Sequence, residues 1–165
     1  IGGGSVEFII ADREQVFWQQ SFPVGAAVLW RTFHRNDPIT ESEVLNVETY
    51  LETALADLWR ALGQHSVPTL IGASGTFDVI DLFLLDPADK PPLYGHIAVA
   101  EFYPLYEKLL HSTLAERRAM PILPDERVEM VVVALLLIRY VLEKAQIREI
   151  YTSVYAMKEG MLDEC

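Results

Sequence analysis

Hydrophobic and polar positions alternate from the first residues, with Val6, Phe8 and Ile10 against Ser5, Glu7 and Ile9. That period of two predicts a strand whose faces differ at its start. "ADREQ" reads as a polar turn and "VFWQQSF" as a second strand, so Ser5 to Phe22 is expected to form a β-hairpin closed by Pro23. "VGAAVLWRTFH" switches to near-helical spacing. After the break "NDPITESEV", Thr40 and Glu43 form a capping-box pattern. Val44, Val47, Leu51, Leu55, Leu58 and Leu62 then mark one face of a helix of about five turns, ended by Gly63.

Further on, "VPTLIGA" reads as a buried strand, "SGT" as a tight turn and "FDVIDLFLL" as a helix. The proline-rich "DPADKPPLYGH" is a surface loop. "IAVAEF" is expected to be a short strand, "YPLYEKLLHSTLAERRA" a helix and "MPILPDE" another loop. An apolar helix follows from about Glu126 to Ala145, then a last strand "IREIYTSVY" and a terminal helix or turn "AMKEGMLDE". The order predicts an α/β domain with a mixed sheet, antiparallel at its start and parallel later.

Length adds that residues 1–165 fit one domain able to bury a core. Thirteen basic residues against 24 acidic ones give a net charge of −11, which argues against a domain built to grip DNA or RNA. Phosphorylated small ligands stay open, because backbone N–H groups and a metal ion hold phosphate without a basic patch. The longest apolar run, Val131–Ile138, is too short to span a bilayer. Cys165 is the single cysteine, so no internal disulfide forms, which suits a cytoplasmic setting.

Candidate chemistry gathers at two turns. Gly2, Gly3 and Gly4 lead into Ser5, and runs of this kind let N–H groups converge on an anion, since no Cβ blocks close approach or positive φ. The same triplet also suits a flexible terminus. Strand parity places Ser5 and Glu7 on one face, where the carboxylate could bind Mg²⁺ or orient a water. Ser74, Gly75 and Thr76 lie between a strand and a helix, where helix-terminal N–H groups favour an anion. Ser74 or Thr76 equally suits a helix cap. His34, His65, His96 and His111 show no metal-ligand spacing. Arg139 and Glu143 are set for an ion pair one helical turn apart. Arg117, Arg118 and Arg127 bracket the "MPILPDE" loop, where they could face a phosphorylated ligand, but a solvated surface is the expected placement.

The blocks "IGGGSVEFI", "FPVGAAVLWRTF", "LIGASGTFD", "LAERRAMPILPDERVEM" and "SVYAMKEGML" resemble, in order and spacing, the exopolyphosphatase / guanosine pentaphosphate phosphohydrolase family. That family shares a superfamily with actin, the sugar kinases and the heat-shock chaperone ATPases. The resemblance implies an actin-like (ribonuclease H-like) α/β fold with a mixed sheet, helices on both faces and a truncated first strand. It implies the second of two such domains, with a first actin-like domain and an aspartate expected before Ile1. By the same resemblance Gly2, Gly3, Gly4 and Ser5 form a phosphate-binding loop, Ser74, Gly75 and Thr76 face it, and Glu7 lines the catalytic cleft. Ile122 and Glu129 depart from the family pattern, so no site residues are carried over around the late helices.

The implied activity is Mg²⁺-assisted hydrolysis of a terminal phosphoanhydride, with inorganic polyphosphate or pppGpp as substrate and the isolated domain inactive. An ATP-binding kinase or ATPase of the superfamily, or a non-catalytic phosphorylated-nucleotide sensor, stands as the alternative. An unpaired edge at "SVEFIIA" also leads us to expect self-association.

Overall fold

The computed structural model describes residues 1–73, 75–86, 88, 91 and 93–155. Ser74 and the "AMKEGMLDE" segment therefore lie outside the described residues. Strands β1 (Val6–Ala11) and β2 (Val16–Phe22) pair antiparallel, with Val6 opposite Phe22 and Glu7 opposite Ser21. Asp12 closes this hairpin by accepting the Glu14 and Gln15 N–H groups at 2.8 and 2.9 Å. The hairpin is a sheet of its own. A second, mixed sheet holds β3 (Thr69–Ala73), β5 (Glu149–Ser153) and β4 (Tyr94–Ala98) in that spatial order, β3 parallel and β4 antiparallel to β5. The parallel pairing is thus confined to β3 and β5.

Seven helices are described: α1 (Ala26–Phe33), α2 (Glu41–Ala54), α3 (Ala56–Leu62), α4 (Thr76–Leu84), α5 (Val99–Leu110), α6 (Leu114–Arg118) and α7 (Val131–Lys144). The expected five-turn helix is broken in two at Leu55, whose φ of −102° and ψ of 20° leave the helical region. Val47, Leu51, Leu55 and Leu58 nevertheless stay buried, so the apolar spacing does not register the break. The Trp59 indole N–H donates to the Glu52 carbonyl in the turn before it. The helix expected from Tyr103 to Ala119 is also interrupted, between His111 and Thr113, and begins earlier, at Val99. That early start trims the expected "IAVAEF" strand to its first two residues, and β4 reaches back to Tyr94 in the expected loop.

Helix α7 organises the core. Every residue from Val131 to Ile138 is buried, and the helix packs against α1, α2, α4 and α5. It begins at Val131 rather than near Glu126, because residues 124–130 form tight turns in which the Arg127 carbonyl accepts from Met130 and Val131 N–H. The expected Arg139–Glu143 pair is present at 2.6 Å, and Arg139 also reaches Glu48 on α2. Among the described residues no helix is long and apolar enough to cross a membrane.

The expected capping box at Thr40 is formed and is larger than the pattern implied. Glu43, 7 % exposed, accepts from the N–H groups of Arg35, Asn36 and Thr40 and from the Thr40 hydroxyl at 2.7–3.0 Å. Burial alone would raise its pKa, but these donors outweigh it and hold the carboxyl down at about 2. A depressed carboxylate pKa contributes stability above the unfolded value near 4.5 and loses it as pH falls toward 2. We expect that window to cost about 3 kcal/mol. Acid titration of the unfolding free energy should show the loss in the native chain and a flattened profile, from a lower plateau, in Glu43→Gln.

Candidate functional site

The glycine run is a turn fastened to the start of α1. Gly2 N–H donates to the Ser5 carbonyl at 2.9 Å. The carbonyls of Gly2, Gly3 and Gly4 accept from Ala26, Ala27 and Gly25 at 2.9, 2.9 and 3.2 Å. The first amides of α1 are therefore spent on the turn and not on a ligand. Among the described residues the N–H groups of Gly3, Gly4 and Ser5 have no backbone partner, and a Cβ at Gly4 would meet nothing within 4 Å. The outer side of the turn is open.

Positive φ is not the reason for these glycines: none of Gly2, Gly3, Gly4 and Gly25 lies in the left-handed region. The position closed to a side chain is Gly25, where a Cβ would lie 2.5 Å from the Gly3 carbonyl carbon and oxygen and 2.6 Å from that of Gly4. Turn and helix pack backbone on backbone there.

Ser5 and Glu7 come together as expected. Ser5 Oγ donates to Glu7 Oε1 at 2.6 Å, and Ser21 Oγ, across the hairpin, donates to the same oxygen at 2.8 Å. The Ser5 bond first, then the Ser21 bond, pulls the carboxyl below its ordinary range and keeps it ionised. Its second oxygen carries neither hydroxyl. Ser21 was not foreseen; the hairpin register that sets it opposite Glu7 was the available signal.

At the second turn Gly75 is the N-cap residue of α4 without any side-chain cap, so Thr76 does not serve as one; it is buried as the first helical residue. The first amides of α4 carry the positive end of the helix dipole. Against Gly75 lies Arg127, whose guanidinium leaves no room for a Cβ there, with Cζ 2.5 Å from where one would sit. Arg127 was expected on a solvated surface. Instead it lines a small crevice with Ala26, Thr76, Val79, Met130, Val131 and Ala134, where the N-terminal ends of α1, α4 and α7 converge. Its guanidinium makes no hydrogen bond or ion pair among the described residues.

The two turns approach one another at this crevice: Ala26, whose N–H bonds the Gly2 carbonyl, lines it together with Thr76 and Arg127. The other arginines behave differently: Arg118 is exposed near Glu129, and Arg117 is buried within the fold. Three of the four histidines lie in other contacts, His65 stacked on Phe17, His96 bonded to Glu149 and His111 to Glu107, while the buried His34 Nδ1 has no hydrogen-bond partner among the described residues. Among the described residues no group of three or more His, Cys, Asp or Glu is placed to hold a metal ion.

The α/β domain thus carries two backbone turns, an ionised carboxylate on β1 and an arginine whose guanidinium has no side-chain partner among the described residues. The Ppx/GppA phosphatase family matches residues 1–165, and the chain belongs to that family. It is similar to an exopolyphosphatase from Cytophaga hutchinsonii, with 35% identity and a TM-score of 0.92 over 99% of this chain and 54% of that one. A PPX-GPPA enzyme from Aquifex aeolicus shares the fold at 22% identity and a TM-score of 0.85, again over 99% of this chain and 55% of the other. The expected actin-like α/β fold agrees with these structures, and the chain spans about half their length. No curated protein matches it.

Proposed function

We propose that this chain supplies one wall of the cleft of a phosphohydrolase that removes the terminal phosphate of inorganic polyphosphate, with pppGpp as a second candidate substrate. The observations that carry the reading are the open Gly3–Ser5 amides next to Glu7, and the Arg127 guanidinium against Gly75, which has no side-chain partner among the described residues. Amides and guanidinium would hold the phosphoryl oxygens and neutralise the charge that spreads over them during transfer. Water attacks the terminal phosphorus, the bridging P–O bond breaks, and orthophosphate and a chain shorter by one phosphate leave. The proton released from water passes to a base that the expected first actin-like domain would supply.

Glu7 fits a Mg²⁺ ion bound mainly by substrate oxygens and water, which takes one or two carboxylates from a protein. When bound, that ion supplies charge neutralisation at the phosphates. Glu7 is too firmly ionised to be an efficient proton acceptor near neutral pH. On this reading the 165-residue chain alone releases no appreciable phosphate. Sustained Mg²⁺-dependent phosphate release from polyphosphate by the purified chain would contradict it.

A further inference from the structure

We propose, resting on the reading of the cleft above, that Arg117 is a positioning residue for Arg127. Arg117 is 2 % exposed and never reaches the cleft, yet its guanidinium ties three separate segments together. Nε donates to the Val128 carbonyl at 2.8 Å, Nη1 to the Ser112 carbonyl at 2.5 Å, and Nη2 to Asp37 Oδ1 at 3.1 Å. The first bond falls one residue from Arg127. Val128 itself is buried, so the loop is held from inside by its side chain and by this carbonyl.

The Asp37 end is anchored in turn. Its other carboxylate oxygen accepts the Leu114 N–H at 2.6 Å, and its neighbours Arg35 and Asn36 donate to the buried Glu43. A buried guanidinium that satisfies two carbonyls and a carboxylate is costly to disturb, because each partner is left without a donor. Its geometry is fixed by a planar fork that lysine does not reproduce. The loop bearing Arg127 is therefore set by a strut running from α6, and the guanidinium over Gly75 owes its place to it.

The test uses the 165-residue chain, with inorganic tripolyphosphate as probe. Arg117→Lys should speed hydrogen exchange of the Arg127, Met130 and Val131 amides at least about tenfold while leaving the centre of α2 within about twofold. It should weaken tripolyphosphate binding about tenfold when Arg127 is present, and have no further effect in Arg127→Ala. Should Arg117→Lys fail to fold, Asp37→Asn loosens the same strut while keeping the bonds to Val128 and Ser112. Unchanged exchange at 127–131 overturns the proposal. So does an equal loss of affinity with and without Arg127, which marks a general structural effect. Responsive exchange with no tripolyphosphate binding by the unaltered chain overturns the cleft reading instead, and Arg117's part in it.

Discussion

Gly25→Ala should detach the glycine turn from α1 and abolish anion binding. The added Cβ would fall 2.5 Å from backbone atoms of Gly3, and a backbone cannot turn aside as the end of a flexible side chain does. Relief requires moving the turn, which breaks the bonds from Ala26 and Ala27 to the Gly2 and Gly3 carbonyls. Overpacking of this kind costs about 2 kcal/mol, read as a lower midpoint in denaturant. The open amides of Gly3 and Gly4 would no longer face the cleft together. Gly4→Ala is the matched control, since its Cβ meets nothing within 4 Å. It should leave the midpoint nearly unchanged, so any loss of affinity there reports only a ligand approaching the turn.

The second large effect is expected at Glu7. In a longer phosphohydrolase of the proposed kind that contains this chain, Glu7→Gln should lower kcat by roughly 10²-fold or more, the scale of losing one preorganised electrostatic group. The substitution keeps size and hairpin pairing, and Ser5 and Ser21 still find an oxygen to bond, so the unfolding midpoint should hardly move. Its pH signature is specific. Because the Ser5 and Ser21 hydroxyls depress the Glu7 pKa, any acid limb of activity that Glu7 causes should be centred below the ordinary glutamate value. An acid limb centred at or above the ordinary glutamate value, absent in Glu7→Gln, would show that Glu7 works through a proton instead.

Features set by neighbours in sequence were legible. The hairpin, the Thr40 box and the buried α7 follow from period, capping chemistry and an unbroken apolar run. Boundaries inside continuous apolar stretches were not: "IAVAEFY" runs on through Ala98, where strand turns to helix. A cue was present, since Glu101 accepts the Ala98 N–H at 3.0 Å as an N3 glutamate does. In the candidate site, Gly2, Gly3, Gly4, Ser5 and Glu7 were nominated by their closeness in the sequence. Ser21 needed the hairpin register, and Arg127 needed a contact between residues 52 positions apart in the chain, which no local pattern encodes. Ser74 lies outside the described residues, and Gly75 and Thr76 hold their expected place at the start of α4.

Exposed Ile9 and Ile71, 63% and 69% accessible, lie on strands with one edge unpaired among the described residues. They keep the expectation of self-association in view when any titration is designed, so dilute protein is the right starting point.

The most direct test of the central claim is an amide chemical-shift titration of the dilute 165-residue chain with tripolyphosphate and Mg²⁺. The account predicts that Gly3, Gly4, Ser5, Gly75, Thr76 and the Arg127 side-chain N–H respond together, with one shared dissociation constant. Shifts confined to other surfaces, or different constants for the two turns, would contradict a single phosphate cleft.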